Sequence, residues 1–346
     1  MGTVNSLIRT NVRELKPYSS ARQEFKGRYG ILLDANENPY GCGLNRYPDP
    51  FQGELRGKIS RYSNVSGEKI FLGNGSDEVI DLLIRAFCDP GKDNIVGMVP
   101  GYGMYEVAAS INNIEFRKVL LDENFGLDDA AVRMAADGNT KIVFLCSPNN
   151  PTGNLLDRNK ITAVLNSVNA LVVVDEAYID FSGTCGMLKE IDSFSRLVVV
   201  RTLSKSWGRA GIRLGMAFAS EDVVKTLNKI KPPYNISSLN MREACKTVGK
   251  RKRFYRYLNK IIKNRGILSE ALARYPFVEK VYNSEANFIL VKANNAKGLY
   301  KHLADNGIIV RDRSGEPGCA NCLRITVGTG KENRKLIKAL EKYKRK

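Results

Sequence analysis

The sequence predicts an α/β fold: a large domain on a mainly parallel, seven-stranded sheet sandwiched by helices, and a smaller α+β domain after it. Three observations carry this expectation. From about residue 66 to 220, short apolar runs alternate with longer stretches of helical periodicity. The runs are rich in Val and Ile without polar alternation, as in Leu171-Val172-Val173-Val174 and Leu197-Val198-Val199-Val200, the pattern of parallel strands covered on both faces. A chain of 346 residues is also long enough for one large domain and a second, smaller one.

In chain order, strands are expected at 70–72, 94–99, 115–119, 141–146, 171–175, 197–201 and 216–219. Helices are expected at 76–87, 102–112, 157–166 and 220–230. Two prolines in Lys231-Pro232-Pro233-Tyr234-Asn235 stop any helix there and mark the exit from the large domain. Beyond them lie a helix through the basic block 246–265, with Phe254, Leu258, Ile261 and Ile262 inward, and short segments at 277–282, 288–292, 298–306, 308–311 and 322–327. A tail helix buries Leu336, Ile337 and Leu340. The expected division is an N-terminal segment, 1–35, packing on the small domain, a large domain, 36–235, and a small domain, 236–346.

Composition narrows the class. Hydrophobic residues make up 43% of the chain, as in an ordinary globular enzyme, and no apolar run approaches membrane-spanning length. Seven scattered cysteines argue against a disulfide framework and for the cytoplasm. Cys319 and Cys322 have metal-ligand spacing but form the only such pair, so no metal site is expected. The net charge of +18 is concentrated in 246–265, with nine basic and no acidic residues, and in 331–346, with eight basic and two acidic. Both read as solvated outer faces of amphipathic helices, and no nucleic-acid-binding signature accompanies them. The lone His302 sits on a surface helix, which leaves Ser-His-Asp chemistry without a base.

Chemistry is offered where strands end. Lys205 follows the 197–201 strand in Ser204-Lys205-Ser206-Trp207-Gly208-Arg209, and partial burial beside cations lowers an amine's pKa toward what Schiff-base formation needs. Asp175 closes the 171–175 strand ahead of Glu176-Ala177-Tyr178 and, once buried, requires a cation. A protonated pyridine nitrogen, such as that of pyridoxal phosphate (PLP), would serve, and so would Arg201. Ser147-Pro148-Asn149-Asn150-Pro151-Thr152-Gly153 is a rigid turn that presents Asn150 as a donor. Gly73-Asn74-Gly75-Ser76-Asp77-Glu78 opens an amphipathic helix, a start suited to an anion, with Ser204 and Arg213 as further contacts.

Together these residues resemble the fold-type I PLP enzymes of the aminotransferase superfamily, and within it the histidinol-phosphate aminotransferases. The likeness extends over nearly the whole chain, through Lys16-Pro17-Tyr18, Asn36-Glu37-Asn38-Pro39, Arg46-Tyr47-Pro48, Tyr102-Gly103-Met104-Tyr105, Glu285-Ala286-Asn287-Phe288 and Leu323-Arg324-Ile325-Thr326-Val327-Gly328. The resemblance implies that Lys205 carries PLP as a Schiff base and moves the proton between the substrate α-carbon and the coenzyme's C4′. It implies that Asp175 pairs with the pyridinium, that Tyr178 and Asn150 bond the phenolic oxygen, and that Tyr102 stacks on the ring. Ser76, Asp77, Ser204 and Arg213 are expected to hold the coenzyme phosphate. Arg324 is expected to grip the glutamate α-carboxylate. Tyr18, Arg311, and Tyr47 from a neighbouring subunit are expected to receive the substrate phosphate, which makes the enzyme a homodimer. The implied reaction joins histidinol phosphate and 2-oxoglutarate to imidazole acetol phosphate and glutamate, in histidine biosynthesis. Threonine-phosphate decarboxylation and aromatic transamination are the alternatives within the fold. A basic nucleic-acid-associated protein on a degenerate PLP fold is the alternative outside it.

Overall fold

The computed structural model describes residues 3–17, 31–41 and 43–343. Two short helices, α1 (Val4–Leu7) and α2 (Thr10–Glu14), precede α3 (Gly53–Ser63). The large domain then runs β1 (Ile70–Asn74), α4 (Ser76–Phe87), β2 (Asn94–Val99), α5 (Met104–Ile111), β3 (Glu115–Leu120), α6 (Asp129–Ala135) and β4 (Thr140–Cys146). It continues through α7 (Arg158–Ser167), β5 (Leu171–Asp175), β6 (Leu197–Thr202), β7 (Leu214–Phe218) and α8 (Glu221–Ile230). The seven strands lie in the order β1-β7-β6-β5-β4-β2-β3. Neighbours from β6 to β3 are parallel, and only β7 runs against its partners β1 and β6.

Burial on both faces explains the unbroken apolar strands. Along β5, Val172 and Val174 join one core, while Leu171 and Val173 join the core on the opposite face. Helix α4 is central to the second core and buries seven side chains, among them Val79, Leu83 and Phe87. The carboxyl ends of β4, β5 and β6 sit side by side, with Cys146 opposite Asp175 and Asp175 opposite Val200. Open parallel sheets bind ligands along that edge.

The chain leaves the large sheet through Pro232 and Pro233 and forms α9 (Ser238–Val248), α10 (Arg251–Leu272), β8 (Val278–Val281), β9 (Phe288–Ala293), α11 (Ala296–Asp305), β10 (Arg311–Asp312), β11 (Cys322–Thr326) and α12 (Gly330–Glu341). Its four strands form an antiparallel sheet in the order β10-β11-β9-β8. Phe254, Leu258, Phe288 and Leu290 extend the first core of the large sheet, so the two regions share a packed face. None of the helices among the described residues is long and apolar enough to cross a membrane.

Three expectations are corrected. The expected single helix through 246–265 is broken at Gly249-Lys250, where α9 ends and α10 begins. The expected segment at 308–311 is ordered as a strand only from Arg311, at Arg311–Asp312, with Ile309 largely in solvent. Residues 4–14 pack on the large domain, not on the small one: Val4, Leu7, Ile8 and Val12 enter the core built around α4 and α8. Arg9 fixes them there, its N–H on the Ala86 carbonyl at 3.1 Å and its guanidinium on Asp89 at 2.9 Å. An apolar stripe in sequence shows that a segment will be covered, without showing by which surface.

Candidate active site

Asp175, at the end of β5, is 3% exposed. Its Oδ2 accepts the Tyr105 hydroxyl at 2.8 Å and its Oδ1 accepts the Ala177 N–H at 3.0 Å. Burial raises its pKa, against the pull of these two bonds and of the Lys205 charge. No cation among the described residues pairs with it. Arg201 instead lies 2.7 Å from Glu176 and donates to the Cys185 carbonyl at 2.9 Å, and Glu176 also accepts the Met187 N–H. Adjacent carboxylates at the end of β5 thus divide their work: Glu176 ties down a loop, and Asp175 faces the strand-end cavity without an ion-pair partner. Tyr105 is the residue that sequence reasoning missed; its signal was its place three residues after Tyr102, whose ring it meets edge-on at 5.5 Å.

Lys205 follows β6 and reaches toward Asp175 and Tyr178, its Nζ 5.4 Å from the Tyr178 ring centroid. Burial lowers its pKa first, and the Arg324 charge lowers it further, so the amine gives up its proton more readily than a solvated lysine. Tyr178 is itself buried, which raises its hydroxyl pKa and keeps it a donor. At the other end of the cavity α4 begins without a side-chain cap, from Gly75 at φ +85°. A Cβ on Gly75 would lie 2.6 Å from the Arg213 guanidinium, so glycine is needed for both the turn and the close approach. Asp77 accepts the Tyr102 hydroxyl at 3.0 Å and Arg213 at 3.2 Å. A carboxylate repels a phosphate, so Asp77 has its backbone N–H to offer an anion, while its side chain aims Arg213 and Tyr102.

One cavity is lined by Ser76, Asp77, Tyr102, Asn150, Asp175, Tyr178, Ser204, Lys205 and Arg213. These are all nine residues expected at a cofactor. Cys146, Ala177 and Thr202 complete the wall; Thr202 donates to the Leu214 carbonyl at 2.9 Å and contacts the Ser204 hydroxyl at 3.0 Å. The family model for class I and II aminotransferases matches residues 33–340. The chain belongs to this family.

Relatives agree. This chain is 52% identical over 344 residues to a histidinol-phosphate aminotransferase of Parabacteroides distasonis, covering 99% of this chain and 100% of that one. The solved histidinol-phosphate aminotransferase of Clostridium acetobutylicum superposes with a TM-score of 0.80 at 27% identity, covering 86% and 90% of the two chains. That of Sinorhizobium meliloti in complex with pyridoxal-5′-phosphate shares the fold, with a TM-score of 0.79 at 22% identity and 88% of each chain covered. Aminotransferases of this family depend on PLP. The cavity fits that group on its own terms: a buried carboxylate without an ion-pair partner for a pyridinium, an amine whose pKa is lowered by burial, and an uncapped helix start beside Arg213 for a phosphate.

Two expected substrate residues of this aminotransferase come from the small sheet. Arg324, on β11, donates to Asn150 Oδ1, which joins the small domain to the β4 loop and leaves the Asn150 amide N–H groups for another acceptor. The Arg324 guanidinium is largely buried above the Phe288 ring, 5.3 Å from its centroid, and its Nε has no partner. Burial and then Arg313 depress its pKa. Arg311 is exposed and stands opposite Arg324 in the β10–β11 ladder. Tyr47 is not brought to this cavity: it is 50% exposed and stacks on Tyr234 at 4.4 Å beside Glu37, Arg46 and Leu239. Tyr18 lies outside the described residues. His302 is half-buried rather than on the surface, its Nε2 2.8 Å from the Ala339 carbonyl, where it joins α11 to α12.

Proposed function

We propose that the protein transfers the amino group between histidinol phosphate and 2-oxoglutarate, making histidinol phosphate from imidazole acetol phosphate and glutamate in histidine biosynthesis. The observation that carries the reading is the placement of Lys205 and Asp175 in one strand-end cavity, with Arg324 bonded to Asn150 of its wall, in a chain 52% identical to an enzyme of that name. When bound, the coenzyme's protonated ring supplies the electron sink for a carbanion beside the amine. Asp175 holds that ring nitrogen protonated, and Tyr105 and the Ala177 N–H orient the carboxylate. Lys205 Nζ would take the proton from the substrate α-carbon and, with the coenzyme bound, would return it as an acid, one group acting as base and then acid. Tyr178 and the Asn150 amide bond the phenolic oxygen, and Tyr102 covers the ring. Ser76, the Asp77 N–H, Ser204 and Arg213 hold the coenzyme phosphate.

Arg324 grips the glutamate α-carboxylate through a two-bond fork and faces the substrate phosphate in the other half-reaction. Tyr18 and Arg311 receive that phosphate together with Tyr47 of a second copy, so the working form is a homodimer with composite sites. We assign 36–235 to the coenzyme-binding domain and 236–346 to the small domain, and place the enzyme in the cytoplasm. Arg324→Ala is expected to raise KM for both glutamate and histidinol phosphate by about 10- to 100-fold, the effect of losing a charge-assisted pair. Steady-state kinetics of each substrate checks this, and a rise for one alone contradicts the shared subsite.

The deciding experiment is the visible absorption spectrum of the purified holoenzyme before and after histidinol phosphate. Bleaching of the coenzyme band without release of carbon dioxide supports amino transfer from this substrate. A persistent band redirects the search to threonine phosphate and aromatic amino acids. Absence of any band after PLP is added overturns the cofactor assignment.

A further inference from the structure

The small sheet presents more positive charge than the roles above employ. Arg311 stands directly across from Arg324 in the antiparallel ladder, an arrangement in which like charges repel. Arg313 continues the pairing, with its N–H on the Cys322 carbonyl at 2.9 Å, and strand alternation places it on the same face as Arg311 and Arg324. Its side chain is 15% exposed and its Nη1 lies 3.0 Å from Glu316, yet its Nε is buried with no partner, as is that of Arg324. The Arg313 charge is felt at the wall of the catalytic cavity, although the side chain does not line it. It acts on the Tyr178 hydroxyl together with Arg324, and it opposes the Arg324 charge more strongly than Arg311 does.

The balance of charge identifies the ligand. Among the described residues, Glu316 is the one carboxylate paired with these three guanidinium groups, which leaves a net charge of +2 on that face. Buried cations with idle N–H groups are costly until an anion meets them. A carboxylate brings one negative charge, whereas a phosphate monoester brings about −1.5 to −2 at neutral pH and three acceptor oxygens. We propose that Arg313 is a specificity-determining residue: with Arg311 and Arg324 it forms a three-arginine cradle that favours a phosphate monoester dianion over a carboxylate at the substrate's anionic end. This rests on reading the amine substrate as phosphorylated. Glu316 holds the Arg313 fork open toward the ligand, and without Arg313 the face keeps the charge suited to a carboxylate.

The test uses the holoenzyme with Arg313→Gln and Arg313→Lys. Arg313→Gln is expected to raise KM for histidinol phosphate by about 10- to 100-fold, the loss of one charge-assisted hydrogen bond, with kcat and the KM for glutamate changed less than about 3-fold. Arg313→Lys, which keeps the charge and loses the fork, recovers part of that loss. Calorimetric titration with inorganic phosphate reads the same subsite without turnover and weakens in parallel in Arg313→Gln. Equal losses for both substrates, or unchanged phosphate binding, overturn the proposal. A wild-type holoenzyme inert toward histidinol phosphate removes the substrate reading alone, and the phosphate titration then decides for or against Arg313 by itself.

Discussion

Replacing Lys205 with alanine is expected to lower turnover by about 10⁴-fold, the upper end of what one general acid–base group supplies. No other amine can assume its role. The nearest cations in the site are Arg324 and Arg213, and guanidinium groups stay protonated at any working pH. The fold should be unaffected, because Lys205 is held by burial beside Tyr178 and belongs to neither core. Single-turnover kinetics, with circular dichroism to verify the fold, makes the measurement. Full activity in the variant would end the mechanism. Partial recovery on adding a small primary amine would show that a base placed in the vacated space is what turnover lacks.

Asp175→Asn is expected to act in opposite directions on activity and on stability. Turnover should fall by about 10²- to 10³-fold, because the electrostatic partner of the pyridinium is gone. Without coenzyme the same change removes a buried charge that has no cation, while asparagine still meets the Ala177 N–H and the Tyr105 hydroxyl. The coenzyme-free variant should therefore melt above coenzyme-free wild type, by about 2 °C or more for a gain on the order of 1 kcal/mol. The pH dependence has a definite sign. Burial raises the folded-state pKa of Asp175, so the charge penalty is fully present above that pKa and vanishes below the unfolded value. The variant's advantage should be present at neutral pH and shrink as pH falls through the raised pKa. Equal melting temperatures at neutral pH would mean that Asp175 is already neutralised within the protein.

How much of this was legible beforehand depended on whether the signal was local. Strands β2 and β5 and helix α4 coincide with their expected limits, because short runs without charged residues before their ends and a six-residue apolar stripe are read within a dozen positions. The strand-end residues were legible for the same reason. Helix α3 was missed because it buries little beyond Leu55 and Ile59, a stripe too thin to stand out. The partner of Asp175 remained undecided between a coenzyme and Arg201, since Asp175 and Glu176 are neighbours in sequence and only three-dimensional placement shows which one the arginine reaches. Tyr105 and Arg313 were overlooked because each matters through a residue distant in the chain, Asp175 for the first and Arg324 for the second.

The bare start of α4 has a consequence for how the enzyme matures. A helix that starts without a side-chain cap keeps its first N–H groups for another acceptor, and a bound coenzyme phosphate completes its hydrogen bonding. Because α4 is the helix on which the Val4–Val12 segment rests, loading the coenzyme at one end should tighten that packing at the other. Amide hydrogen exchange at residues 76–79 is expected to slow on coenzyme addition, with a smaller slowing around Arg9, whose N–H is bonded to Ala86 near the far end of the same helix. The coenzyme then acts as a late-arriving piece of the main chain's own architecture, and its arrival can be timed from the backbone as well as from its colour.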